Sequence, residues 1–173
     1  SELKRNTDLY VLAVSDDALF DLALDLHLGD ALVVHTSGAT SIKVLKSVSS
    51  RYGVLWSPQT FIRDITLDYS ALPFCIEGCT PAVESQIADA ARIISQHIYP
   101  LNQEQRQYLH LAAVMVNNFT NAINCQAQQL LNEHQVPFEI LFPLISMTAK
   151  KAQYGDLHLQ QTGPAIRHDQ RTL

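Results

Sequence analysis

A histidine and two adjacent asparagines on one predicted helix are the residues of this sequence most suited to act on a small molecule. In the stretch that begins at His110 and runs through Asn117 and Asn118, positions 110, 114, 117, 121, 125 and 128 fall on one helical face at spacings of three and four. Histidine titrates in the range that proton transfer needs, and an asparagine amide holds a carbonyl or hydroxyl without changing charge. Residues 109–115 are almost all apolar. The ladder His110, Asn117, Asn121, Cys125 and Gln128 must therefore find partners, because a buried, unsatisfied amide costs ~1–3 kcal/mol. Two readings fit this pattern. One is a satisfied hydrogen-bond ladder at a helix interface, such as a dimer seam. The other is a cleft facing a sheet, lined by His110 with Asn117 or Asn118.

Three further polar clusters follow predicted strands: Ser15-Asp16-Asp17, His35-Thr36-Ser37-Gly38 and Ser57-Pro58-Gln59-Thr60. In a parallel α/β sheet, ligands bind outside the carboxyl ends of the strands. Singly, an Asp here caps a helix and Ser37-Gly38 makes a turn; in succession the three ends suit a ligand cleft. Near the end of the chain, Thr162-Gly163-Pro164 precedes Arg167 and Asp169. A Gly-Pro step into a helical turn points free backbone N–H groups at an anion, with Arg167 beside them. The alternative is an ordinary helix start with an Arg–Asp surface pair. There is no Ser-His-Asp order, no pair of catalytic carboxylates and no H-E-x-x-H. The cysteines, Cys75, Cys79 and Cys125, are odd in number and unsuitably spaced for zinc or a disulfide framework, so no metal is expected.

These residues need elements to position them. Leu9–Val14 reads as a strand buried on both faces, followed by a helix from Asp16 to about Leu26 that Gly29 stops. Ala31–Val34, Tyr52–Trp56, Leu72–Ile76 and Ile98–Leu101 read as further strands. A short helix is expected at 42–50, and one opened by Pro81 runs to about Gln96. Strand–helix alternation predicts an α/β domain over 1–101 with a mainly parallel sheet. From Asn102 strand patterns stop and Gln and Asn become dense. One long helix is expected at 103–135 and a second at 137–154, kinked at Pro143, giving an all-α domain over 102–173. Some seventy residues in two or three helices make a thin core, which predicts a homodimer through the helical domain.

Composition excludes other classes. The chain has 173 residues, 47% apolar and 17% charged, which is globular rather than disordered. Net charge is -5 with a pI of about 5.7, and no basic stripe marks a nucleic-acid partner. No apolar run approaches the ~20 residues of a membrane span and no secretory signal opens the chain, so a cytoplasmic location is expected. The glycines at 29, 38, 53, 78, 155 and 163 match neither G-x-G-x-x-G nor G-x-x-x-x-G-K.

Six segments in order nevertheless resemble a known family: residues 11–18, 34–39, 59–61, 73–78, 110–119 and 162–169. The family is one of NAD(P)-dependent oxidoreductase-like proteins that pair a Rossmann-like N-terminal domain with a helical C-terminal domain of unknown function. It is itself similar to pyrroline-5-carboxylate reductase and 6-phosphogluconate dehydrogenase. The resemblance implies that residues 1–101 are the second half of a Rossmann-like fold, with the first βαβ half and its glycine loop before Ser1. It implies an NADP or NAD cofactor approached by Ser15, Asp16, Asp17, Thr36, Ser37 and Gly38. Gln59, Thr60, Asn117, Gly163, Pro164, Arg167 and Asp169 would surround the substrate, with His110 and Asn118 catalytic. Two departures stand out. Trp56-Ser57-Pro58 precedes Gln59-Thr60 where relatives carry His or Tyr before Pro. Val114 stands four residues before Asn118, where the related dehydrogenases place a Lys, so a lysine general acid is not carried over. The leading expectation is an NAD(P)-dependent oxidoreductase acting on a small polar substrate. The alternative is a non-catalytic nucleotide-sensing or dimeric scaffold module.

Overall fold

In the computed structural model, residues 7–157 are described, and they build a five-stranded sheet followed by helices. The strands are β1 (Leu9–Leu12), β2 (Gly29–His35), β3 (Ser49–Trp56), β4 (Phe74–Gly78) and β5 (Ile98–Pro100), and they lie in that order across the sheet. Helix α1 (Asp16–Asp25) connects β1 to β2, and α2 (Pro81–Arg92) connects β4 to β5. β1, β2 and β3 run parallel, β4 is antiparallel to β3, and β5 is parallel to β4. The connection from Trp56 to Phe74 is longer than the one from β2 to β3 and carries one 3-10 turn (Tyr69–Ala71), and the chain returns antiparallel.

The expected helix at 42–50 is a single 3-10 turn, Ile42–Leu45, whose cap Ser41 accepts the Lys43 N–H. Pairing with β2 claims the residues that follow, beginning with Ser49 opposite Gly29. Gly29 has a φ of 63° and opens β2 rather than ending α1, which stops at Asp25. Ser15 caps α1 by accepting the Ala18 N–H, and Asp16 and Asp17 oppose the positive end of the helix dipole.

Alternation along β2 divides the core. Leu32 and Val34 pack with Leu55, Ile76 and the buried face of α2 (Val83, Ile87, Ala88 and Ala91). Val33 packs on the opposite face with Leu12, Leu19, Ala23, Leu45 and Val48. Burying Ile87 completely contributes about 2 kcal/mol. On that second face, nearer the carboxyl end of β3, Ile42, Val54, Trp56 and Cys75 form a third cluster, with Leu101 and Leu109 against it.

Helix α3 (Gln103–Val114) starts in a reciprocal cap in which Asn102 and Gln105 each bind the other's backbone N–H. It is followed by one π turn, Met115–Phe119, and then by α4 (Thr120–Glu133). The expected single helix is thus interrupted, and its last residue is Glu133. A 3-10 turn at Phe138–Leu141 leads into α5 (Phe142–Lys151), and Pro143 sits in the first turn of α5, opening it rather than kinking it. The chain divides into two compact units, Ser1–Asn118 and Phe119–Leu173. The first turns of α3 pack on the sheet through Arg106 and Leu109. Among the described residues of the second unit, none is buried. No described helix is long and apolar enough to cross a membrane.

Candidate functional site

The parallel strands deliver their polar ends to one side of the sheet. β1 ends before Ser15, β2 before Thr36 and β3 before Ser57. Thr36 donates its N–H to the Leu12 carbonyl at 3.3 Å, which sets the loop after β2 beside the end of β1. Ser37 then folds that loop on itself. Its hydroxyl oxygen accepts the N–H groups of Ala39 (3.2 Å) and Thr40 (3.0 Å). Its own N–H donates to Nδ1 of His35 at 3.1 Å. His35 is fully buried, and burial, reinforced by the Arg106 guanidinium and opposed by Asp16 and the Ser41 backbone, lowers its pKa to about 4. The ring is neutral near neutral pH, and Nδ1, as the acceptor, leaves the proton on Nε2. Ser15, Asp16 and Asp17 are exposed at the start of α1.

Gly38 is the point of closest approach between this loop and the rest of the site. A Cβ there would lie 2.7 Å from the Trp56 indole and 2.9 Å from Nδ1 of His110. Only glycine lets the loop touch both rings. Trp56 and His110 meet edge to face with their centroids 5.7 Å apart. They form one wall of a cleft of about 470 Å³ whose other walls include Gln59, Thr60, Asn117 and Asn118. Ser57, at the base of the loop after β3, buries its hydroxyl with no partner among the described residues.

The hydrogen bonds across the cleft give it a direction. Nδ2 of Asn117 donates to the Thr60 hydroxyl oxygen (2.9 Å) and to the side-chain oxygen Oδ1 of Asn118 (3.1 Å). With those acceptors engaged, Thr60 has its hydroxyl proton to offer and Asn118 its amide N–H groups. Both asparagines stand in the π turn, a distortion that recurs at functional positions because it re-aims side chains within a helix. Val116 and Asn117 are also exposed there. The Gln59 amide oxygen accepts the N–H of the next residue, Thr60, at 2.9 Å.

The structure thus brings together Gly38, Gln59, Thr60, His110, Asn117 and Asn118, with Thr36 and Ser37 in the adjoining loop. It sets Ser15, Asp16 and Asp17 at the neighbouring strand end. Gly163, Pro164, Arg167 and Asp169 lie outside the described residues. Sequence reasoning missed the Arg106–Glu77 ion pair on the covered face of the sheet, in which the Arg106 side chain is wholly buried. A signal was present: Arg106 stands one helical turn before His110, on the same face. No group of three or more His, Cys, Asp or Glu side chains among the described residues could hold a metal ion.

Comparison with known proteins fits this architecture. No curated protein matches the chain. The crystal structure of a "putative NADP oxidoreductase" from Bacteroides fragilis superposes with a TM-score of 0.88 and 34% identity, covering 99% of this chain and 67% of that one. A protein from Thermotoga maritima gives 0.80 at 22% identity, covering 98% and 68%, and shares the fold. A "putative oxidoreductase" from Mycobacterium avium gives 0.53 at 16% identity, covering 82% and 53%. The chain therefore spans about two thirds of the first two and about half of the third. The Domain of unknown function DUF2520 matches residues 72–173, which contain β4, β5 and all of α2 to α5, and the chain belongs to that family.

Proposed function

We propose that this chain is the substrate-holding part of an NAD(P)-dependent oxidoreductase that acts on a small polar substrate. The cleft carries the reading: at the carboxyl end of β3, a histidine and two convergent hydrogen-bond donors face a space of about 470 Å³. The Bacteroides fragilis protein, whose name includes NADP, is 34% identical to this chain over the matched region, which covers 67% of that protein.

The residues at the strand ends fit one portion of such a cofactor. Ser15, Asp16, Asp17, Thr36, Ser37 and Gly38 supply hydroxyls, carboxylates and a close backbone approach, which suit ribose hydroxyls and a carboxamide. Neither cluster contains a Lys or Arg to meet phosphates. These six residues would hold the cofactor, NADP or NAD, beside Gly38, whose backbone touches the Trp56 and His110 rings. When bound, a nicotinamide supplies the hydride chemistry. Thr60 and Asn118 orient a substrate oxygen through their donor hydrogens, and His110 gives or takes the matching proton. Gln59 and Asn117 hold those donors in place. Gly163, Pro164, Arg167 and Asp169 complete the substrate site in this proposal, with Arg167 pairing an anionic group. The protein works as a homodimer through its helical unit.

Titrating the full-length protein with NADPH and with NADH tests the proposal. Saturable quenching of Trp56 fluorescence by either is expected, and loss of substrate turnover in His110→Ala with cofactor binding intact. Absence of binding to both nucleotides overturns it.

A further inference from the structure

We propose that Arg106 is a positioning residue that sets His110 in the cleft by tying helix, sheet and loop to one guanidinium. The inference rests on His110 being the group that works there.

Register across the sheet places the partners. His35, Val54 and Glu77 are neighbours on β2, β3 and β4, and therefore share one face. Arg106, in the first turns of α3, lies over that row with its side chain wholly excluded from solvent. One terminal nitrogen donates to Oε2 of Glu77 on β4, and the other donates to the Thr40 carbonyl at 2.8 Å. Thr40 closes the loop that Ser37 folds and that carries Gly38. The guanidinium thus fixes three separate segments relative to one another. His110 follows four residues later on the same helical face, and its ring packs against Trp56 and within reach of Gly38. Gln107 adds a second tie from α3 to the loop, donating to the Ala39 carbonyl at 3.3 Å.

The chemistry of the pair argues for placement rather than for adhesion. Buried ion pairs are often no more stabilising than apolar residues of the same volume. Here, in addition, Nε of Arg106 is buried with no hydrogen-bond partner among the described residues. What an apolar side chain lacks is the planar fork, which holds two acceptors at fixed directions. A shift of the helix by a fraction of an ångström would break one of the two bonds, and the same shift would move His110 off Trp56 and Gly38.

The test reads the position of the His110 ring directly. The His110 side-chain resonances of the full chain are assigned by NMR, and their displacement from free-histidine values, caused by the Trp56 ring, is measured without any nucleotide. Arg106→Lys keeps the charge near Glu77 but replaces the fork with a single ammonium. The double variant Arg106→Met, Glu77→Gln removes both charges. The expected result is a folded protein in at least one of them, with the His110 displacement reduced by half or more and its melting temperature close to that of the parent. A folded variant that keeps the full displacement overturns the proposal. If neither variant folds, the proposal is likewise overturned, because the pair is then a requirement of assembly and not of placement. Failure of NADPH to bind the parent protein leaves this readout untouched and counts only against the oxidoreductase reading.

Discussion

His35 couples the site loop to pH. Its ring accepts the Ser37 N–H from a fully buried position, and its pKa falls from 6.5 to about 4. Between those two values the unfolded chain binds a proton that the folded chain excludes. Stability is therefore at its full value above about pH 6.5, and it declines as the pH is lowered through 6.5 toward 4. The span corresponds to about 3 kcal/mol. Urea unfolding at a series of pH values checks this, and His35→Gln, which keeps an acceptor but does not titrate, is expected to flatten the decline. Asp68, held below its ordinary 3.8 by hydrogen bonds from Ser70, releases its contribution only below that window. Gly38 gives a second test at the same scale. Its missing Cβ would meet the Trp56 ring at 2.7 Å and Nδ1 of His110 at 2.9 Å. Gly38→Ala is expected to cost about 1–3 kcal/mol and to change Trp56 emission, since a ring or the loop must move. An alanine variant with parental melting and emission would show that the loop does not touch these rings.

Among the elements, the connection that reverses the sheet depends on one serine. Ser95, which is 2% exposed, has its single hydroxyl proton within reach of the Ser70 and Leu72 carbonyls, at 2.9 and 2.7 Å, and its oxygen accepts the His97 N–H at 3.1 Å. It thereby joins the 3-10 turn before β4 to the segment entering β5. Ser95→Ala leaves those groups unpaired and is expected to lower stability by about 1–3 kcal/mol in chemical unfolding, with Ser95→Thr milder. Nothing in the sequence around Ser95 distinguishes it from a serine at a helix end, because its partners lie 23 to 25 residues away. The same contrast runs through the molecule. The five strands and α1 to α3 were legible as apolar runs and 3.6-residue periods bounded by Ser15, Pro81 and Asn102, which act locally. The antiparallel β4 was not, since strand direction depends on how a whole connection packs. The π turn was not either: it holds Asn117, whose side chain reaches Thr60, 57 residues away, and no local pattern marks it. The cleft was legible where it follows from strand ends and helix period, in Gln59, Thr60, His110, Asn117 and Asn118. The Glu77–Arg106 pair was missed because a lone arginine near the start of a helix usually points to water, although its place one turn before His110 marked the same face.

At the scale of the whole molecule, the described residues of the helical unit enclose no core of their own. No residue from Phe119 to Leu157 is buried, while Ile123 is 68% exposed and Leu144 is 62% exposed. Charge does not balance that apolar surface: α4 carries Glu133 alone, and α5 carries only Lys150 and Lys151, in its last turn. Apolar faces of this extent with so little charge are normally covered. A second copy of the chain is the occupant we propose, because the same helices are then available on both sides and a closed two-fold contact leaves no unpaired face. A stable contact of this kind buries about 800 Å² per partner. Sedimentation at micromolar concentration is expected to show a dimer. Leu144→Asp changes an exposed position, so within one chain it shifts stability by no more than about 0.5 kcal/mol. Placed in a dimer seam, the same carboxylate would lose its water and weaken association at least tenfold, about 1.4 kcal/mol or more. A parent protein that sediments as a monomer at micromolar concentration would refute the dimer. A dimer unaffected by Leu144→Asp would move the seam off α5.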